Sequence, residues 1–410
     1  MSPGDSRDGG FARVVLTCFL PFAAGYLLSY IFRTVNAVVG PRLAAELQID
    51  IAALGVLTSA YFAGFVLLQI PAGVLLDRYG PRRVQAVLLV FAAIGALLFS
   101  QATTLAGLAL ARGLIGVGVA TCLMAGFKAN TLFWPPERLG TANGVLMAFA
   151  GVGGAVGTLP VTWLADAVGW RGVFHVLTAC ALVLAAIVWR IVPDRRPATV
   201  SGLGEALDGV RRIFTARAFW AVVPLSAFTQ SVFQAYHTLW TAPWLVDVAG
   251  FAPAEVPVAM LLVLLGIIPG YLLSGAVTDA LGRRGVDKGT LFAVYTGAFI
   301  LLQAGLALGP SRGAVALWVL YVVLGTGSVI AYVILTPLFP RDLAGRLNTA
   351  INLVVFLVAF LIQASIGHAL VWVEHGFAVT RAGAHGVVLA ALVALQGAMW
   401  LWFVAGRRRA

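Results

Sequence analysis

The sequence predicts an all-α membrane protein of twelve transmembrane helices, arranged as two pseudo-symmetric six-helix bundles. Three observations carry that expectation. The 410 residues are 61% hydrophobic and only 10% charged, with a mean hydropathy of +0.97, where a soluble chain carries roughly 25% charged residues. Apolar stretches near the ~20 residues that cross a hydrocarbon core recur along the whole chain. A loop phrase is also written twice: Gly73, Asp77 and Gly80 return as Gly275, Asp279 and Gly282, each displaced by 202 positions. A second echo, Pro135, Glu137, Gly140 and Asn143, returns as Pro340, Asp342, Gly345 and Asn348, displaced by 205.

Taken in order, six spans lie at 14–39, 51–75, 84–101, 105–128, 141–165 and 172–191. Six more lie at 218–246, 256–278, 289–308, 313–335, 346–371 and 386–405. Their apolar runs are continuous rather than alternating, which favours helices over a barrel. Most connections are short, so neighbours run antiparallel. The longest polar stretch, 193–217, divides the chain six and six, as the repeat requires. It begins Pro193-Asp194-Arg195-Arg196-Pro197. Leu203, Ala206, Leu207, Val210, Ile213 and Phe214 then recur at helical spacing opposite Arg211 and Arg212. This pattern predicts an amphipathic helix on a membrane surface. The expected domains are therefore 1–192, a linker at 193–217, and 218–410. Glycines crowd span 4 (Gly113, Gly116, Gly118) and span 5 (Gly144, Gly151, Gly153, Gly154, Gly157), where small residues let helix backbones approach closely in lipid.

The formal net charge of +11 is organised by topology. Of 27 Lys and Arg residues, 21 fall on one side of the predicted spans, from Arg7, Arg13, Arg78, Arg82 and Arg83 through Lys128 to Arg407, Arg408 and Arg409. Only Arg42, Arg171, Arg312 and Arg381 fall in the opposite loops. This is the positive-inside pattern, with both termini cytoplasmic, and it points to anionic lipid rather than nucleic acid. Arginine crowds out lysine, as in bacterial chains of GC-rich coding, so a bacterial inner membrane is the expected location. No cleavable leader pattern opens the sequence. Cys18, Cys122 and Cys180 lie in apolar spans without metal-ligand spacing and read as small buried hydrophobes. No cofactor or metal is expected. No phosphate-binding loop, zinc spacing or nucleophile elbow occurs, so the chain is not expected to be an enzyme.

The phrase Gly73-x-x-x-Asp77-Arg78-x-Gly80-x-Arg82-Arg83 resembles motif A of the major facilitator superfamily, and its weaker copy around Asp279 and Arg283 matches that family's duplicated fold. Arg112-x-x-x-Gly116-x-Gly118 resembles motif B. The resemblance covers about residues 12–406 and implies a secondary transporter, without naming a substrate. In it, Asp77 sits against a helix N-terminus, where the macrodipole favours an anion. Arg78, Arg82, Arg83, Glu137, Arg138, Asp342 and Arg346 supply further charges for cytoplasmic latches. Treated as solvent-exposed, each such pair is worth ~0–1 kcal/mol.

Embedded charge narrows the cargo. All 16 Asp and Glu fall in loops or near span ends, so a cationic substrate has no evident counter-ion. Arg33 lies within span 1, and the spacing of Tyr26, Tyr30 and Arg33 puts them on one helix face, followed by Asn36. A guanidinium offers a planar fork suited to carboxylate or phosphate. Tyr30-x-x-Arg33 is similar to span 1 of organic-anion and organophosphate members, in which such an Arg grips the anion. The competing reading is an Arg33 that snorkels to the interface. Arg112, ~10 Å inside span 4 by helix rise, either lines a cavity or braces helices. In span 7, Gln230, Gln234, His237 and Trp240 are candidate pocket residues. His237 is either titratable in transport or a packing residue. Tyr321, Tyr332, Asn348, Asn352 and Gln363 are further candidates, with interhelical bonding as the alternative for each. Phosphate-transporting relatives carry a second Arg in span 7, which this chain lacks.

The expectation is import of a small, carboxylate-like organic anion with proton coupling, by a monomer whose partners are substrate, coupling ion and lipid. Gly144, Gly153 and Gly157 partly fit the antiporter pattern of span 5, with Thr158 in place of Pro. The alternatives are therefore a proton-driven exporter of hydrophobic compounds, or a non-transporting membrane sensor or scaffold.

Overall fold

The computed structural model describes residues 13–48, 51–194, 203–252, 255–309 and 313–407. Arg7, Arg195, Arg196, Arg312, Arg408 and Arg409 of the charge pattern lie outside them. The described residues are mostly helical, joined by short connections, with no strand among them. A π-turn at Val15–Phe19 leads into α1 (Leu20–Leu47). Then come α2 (Ile51–Leu67), α3 (Gln69–Gln101), α4 (Leu105–Val119), α5 (Cys122–Phe133), α6 (Leu139–Val156) and α7 (Leu159–Ile191). The linker helix is α8 (Leu203–Thr215). The second half holds α9 (Arg217–Ala235), a π-turn (Tyr236–Trp240), α10 (Thr241–Asp247), α11 (Val256–Leu265), α12 (Ile267–Arg283) and α13 (Lys288–Ala307). It ends with α14 (Ala314–Gly325), α15 (Ile330–Leu335), α16 (Ala344–Gly376) and α17 (Arg381–Arg407).

Ten stretches among the described residues are long and apolar enough to cross a membrane. The other two predicted spans are helical as well, as α2 into α3 and as α9 through the π-turn into α10. The chain is a multi-pass membrane protein. Two long helices break at a single residue: α3 at Gly80 (φ 79°) and α7 at Gly169 (φ 72°). Both conformations lie where a Cβ is disfavoured and glycine is not. The linker helix carries the predicted two faces, with Ile213 buried and Arg211 and Arg212 exposed.

The chain divides into two compact units. Unit 1 collects residues up to Pro136, Phe149–Arg211 and Pro340–Ala350. Unit 2 collects Glu137–Ala148, Arg212–Phe339 and Ile351 onward. Each unit therefore contains a short helix start contributed by the other half of the sequence. Both starts are fastened by an aspartate.

Within unit 1, α2 and α4 approach backbone to backbone. A Cβ on Gly116 would lie 2.1 Å from the Tyr61 carbonyl oxygen, and one on Gly64 2.1 Å from that of Gly113. Packing of this kind replaces the hydrophobic drive that lipid does not supply. Within unit 2, Tyr236, Trp244, Trp318, Tyr321 and Phe299 form one aromatic core; Tyr236 stacks on Trp318 at 5.6 Å and Trp244 meets Trp318 edge-on at 5.3 Å. A buried amide chain crosses three helices: Gln303 Nε2 donates to Gln396 Oε1 at 2.8 Å, and Gln396 Nε2 donates to Thr229 Oγ1 at 2.8 Å. The cysteine expectation needs one correction. Cys18 and Cys122 are buried, but Cys180 is exposed on α7, because a thiol is apolar enough to face lipid as readily as protein.

Candidate functional site

The motif A aspartate is the best-connected charge among the described residues. Asp77 Oδ1 accepts from Lys128 Nζ at 2.7 Å and from the Gly345 amide at 2.7 Å; Oδ2 accepts from the Arg346 amide and from Arg346 Nε, each at 2.9 Å. Carboxylate, ammonium and guanidinium are all buried. A helix N-terminus leaves its first amides without intrahelical acceptors, and Asp77 supplies one at the start of α16. Glycine at 345 is required sterically, since a Cβ there would fall 2.5 Å from Asp77 Oδ1. The repeat is built alike in unit 2. Asp279 accepts from the Gly140 amide at 3.0 Å and the Thr141 amide at 2.6 Å at the start of α6. No cation joins it in a salt bridge among the described residues.

Several expected roles change in this geometry. Lys128 is a buried member of the Asp77 cluster rather than a loop charge, because α5 carries it inward. Arg82 and Glu137 are not partners of Asp77. Arg82 donates to the Trp189 carbonyl, Arg83 pairs with Asp194 at 2.9 Å, and Glu137 is exposed, with no ion pair among the described residues. Arg78 is exposed and lies over the Tyr79 ring at 5.2 Å. Arg138 and Arg283 are exposed too, and Asp342 contributes its carbonyl, to Arg346 Nη2 at 3.4 Å. The Asp77 cluster is buried, so the exposed-pair magnitude does not apply to it.

Arg33 occupies an aromatic box in unit 1. Its guanidinium carbon lies 4.8 Å from the Tyr30 ring centre, 5.6 Å from Phe65 and 5.7 Å from Phe62. Tyr26 meets Tyr30 edge-on at 5.2 Å, which completes the predicted helix face. Arg112, 1% exposed, donates from Nη1 to the Phe32 carbonyl at 3.0 Å, one residue before Arg33. Its guanidinium also lies over Tyr61 at 5.3 Å and Phe99 at 5.7 Å. Arg112 thus braces α1, and no carboxylate forms a salt bridge with it among the described residues. Tyr61 stands beside both arginines. It is missing from the sequence candidates; the only signal for it is the aromatic run Tyr61-Phe62-x-x-Phe65 in span 2. Asn36 is buried on α1.

The span 7 candidates lie in unit 2. His237 Nδ1 sits 2.8 Å from the Phe233 carbonyl oxygen, and its ring stacks on Phe233 at 4.4 Å. Gln230 is buried with its Oε1 unmatched among the described residues, Gln234 is half-buried, and the π-turn widens the helix from Tyr236 to Trp240. Such turns recur at functional sites. Trp240 borders a cavity of about 920 Å³ whose other walls include Gln363, His368, Trp372 and His375. Tyr332 and Asn352 are buried in the same unit. Tyr321 donates to the Val232 carbonyl at 2.9 Å and is a helix tie. Asn348 belongs to unit 1.

Residues 22–363 match the sequence profile of the Major Facilitator Superfamily. Among curated proteins, the chain is 27% identical over 276 residues to the "Probable sulfoacetate transporter SauU" of Cupriavidus necator, covering 63% of this chain and 64% of that protein. The match therefore spans less than two thirds of that relative. It is 25% identical to the hexuronate transporter of Bacillus subtilis, covering 72% of this chain and 73% of that one. Among solved structures, the E. coli fucose:proton symporter FucP superposes with a TM-score of 0.71 at 14% identity, covering 93% of this chain and 99% of that one. A bacterial homologue of the iron transporter ferroportin gives 0.69 at 18%, covering 95% and 99%. These likenesses establish the fold. The profile match, which covers more than half of the chain, shows that it belongs to the major facilitator superfamily.

Proposed function

We propose that the protein imports a small organic anion, carboxylate- or sulfonate-like, by alternating access coupled to protons. The observation that carries the reading is Arg33 in its ring box, backed by the buried guanidinium of Arg112, with which no carboxylate forms a salt bridge among the described residues. A buried cation such as Arg112 without an anionic partner costs several kcal/mol, and an anionic cargo held nearby lowers that cost. Arg33, with Tyr30 and Asn36, grips the anion, and Arg112 with Tyr61 holds α1 in place behind it. Within unit 2, Gln230, Gln234, His237, Trp240, Tyr332 and Asn352 are the candidate substrate contacts. The names of the relatives support the class: sulfoacetate and hexuronates are anions. The Asp77 and Asp279 clusters act as cytoplasmic latches, made in one state and released in the other. Both termini face the cytoplasm of a bacterial inner membrane, and the protein works as a monomer.

The test is uptake into proteoliposomes under pH gradients of both signs, with sulfoacetate and glucuronate as probes. Accumulation driven by an inward proton gradient supports the reading. Acceleration by the opposite gradient favours the exporter, and transport of neither probe under any gradient removes the anion assignment. The glycines of α6 do not favour export, because packing explains them: a Cβ on Gly153 would lie 2.4 Å from the Leu27 carbonyl oxygen, within unit 1.

A further inference from the structure

Unit 2 carries a second titratable cluster, at the end opposite the Asp279 loop. His385, one turn into α17, is 1% exposed. Its Nε2 lies 3.0 Å from Asp247 Oδ2. Asp247 is the last residue of α10, the short helix that follows the π-turn. Arg381 Nε lies 3.7 Å from the same oxygen, and Arg381 Nη1 donates to Glu374 Oε2 at 2.9 Å. Three helix ends thus meet in one network: α10, α16 and α17.

We propose that His385 is a proton-binding site, and that the proton it takes up sets how firmly α10 is held to α17. Two carboxylates face one guanidinium, so the quartet carries a net charge of −1 with a neutral imidazole and 0 with an imidazolium. A carboxylate offers only acceptors, so Nε2 carries a hydrogen in both forms and Nδ1 is the nitrogen that titrates. Protonation turns a hydrogen bond in which only the acceptor is charged into one between an imidazolium and a carboxylate, and so strengthens it. Asp247 also ends a helix, where the macrodipole favours a nearby cation. Arg381 is the one cation that competes for Asp247 within the cluster; among the described residues, further charge is distant. The packed helices α9 and α13 each have one charged residue, Arg217 and Lys288, at the far end of the helix. On α16, His375 beside Glu374 is exposed.

Two other buried acids are already committed, because Asp77 and Asp279 each bind two backbone amides. His385 is therefore a buried group that gains charge balance by accepting a proton. The tethered α10 continues α9, which bears Gln234, through the π-turn, which bears His237 and Trp240. The inference deepens the proposed reading by placing an external proton, and rests on that reading only for its consequence in transport.

The experiment needs no substrate. The chain has five histidines, so full-length protein labelled with ¹⁵N-histidine in lipid nanodiscs gives an assignable spectrum, with the resonance lost in His385→Gln identifying the site. The Nδ1 signal is expected to move as the sample is acidified from about pH 8 to 4, while Nε2 stays protonated. Asp247→Asn is expected to shift the midpoint by about one pH unit or more. An Nδ1 signal that does not move, or a midpoint unchanged in Asp247→Asn, overturns the assignment. A second readout is modification of Val248→Cys by a thiosulfonate reagent at about pH 5.5. It is expected to be about tenfold slower than in the same variant carrying His385→Gln, in line with one charge-assisted bond. Equal rates overturn the clamp. Either failure leaves the anion assignment intact, and failed uptake of sulfoacetate leaves the titration intact.

Discussion

Replacing Asp77 by asparagine is the most informative perturbation of the latch. The carboxylate is buried, and it holds Lys128 at 2.7 Å and Arg346 at 2.9 Å, both also buried. The introduced amide can still accept hydrogen bonds, but two cations then share a dry site without an anion. Removing one partner of a buried ion pair costs about 3–5 kcal/mol. All of that loss falls on the conformation in which α16 begins against Asp77. At ~1.4 kcal/mol per tenfold, the lower figure moves the equilibrium away from that conformation by roughly two orders of magnitude. Thr349, 1% exposed, lies against Gly73 in the same seam, where a Cβ on the glycine would fall 2.2 Å from its hydroxyl. Alkylation of Thr349→Cys by a membrane-impermeant maleimide therefore reports opening. The rate is expected to rise about 100-fold in Asp77→Asn. It should fall back in Asp77→Asn combined with Lys128→Met, because that pair removes one of the stranded charges. An Asp77→Asn protein alkylated at the parental rate would refute the reasoning, since a buried carboxylate joined to two cations cannot be that cheap to neutralise.

Arg33→Lys keeps the charge but loses the planar fork and the stacking on Tyr30. Sulfoacetate counterflow is expected to drop about tenfold or more, and normal counterflow in Arg33→Ala would remove the anion contact. Gly153→Val places new atoms inside contact distance of α1, and over-packing of this kind costs about 1–3 kcal/mol, read as a lower melting temperature in detergent. Gln396→Leu strands Gln303 and is expected to destabilise by about 1–3 kcal/mol, while the Gln303→Leu, Gln396→Leu double variant should lose less than the sum. Chemical denaturation of all three variants decides it. Arg42→Ala breaks an exposed pair with Asp166 and should change stability by under about 1 kcal/mol.

The spans, the linker helix and the motif loops are readable in the sequence because lipid forces every spanning segment to be apolar and self-satisfied in hydrogen bonding. The repeat exposes the two aspartates for the same reason: polar loops stand out in an apolar chain. The partners of those aspartates are not readable. Lys128 sits 51 positions from Asp77 and Arg346 sits 269 away, and nothing local distinguishes them from charges that only set orientation. Tyr61 is hidden because an aromatic in an apolar span looks the same whether it packs on lipid or beside two guanidinium groups. The π-turn from Tyr236 to Trp240 leaves no mark either, since one extra residue per turn does not disturb hydropathy.

Gly140 and Gly345 are the places where the two halves of the chain still speak alike, and the aspartate contacts explain why. Each carboxylate is recognised through main-chain amides at a distance that only a hydrogen on the α-carbon permits. One joint holds a lysine and an arginine as well, while the other pairs with neither among the described residues. The connector common to both is bare backbone, and the added charges make one of the two joints stiffer than its twin.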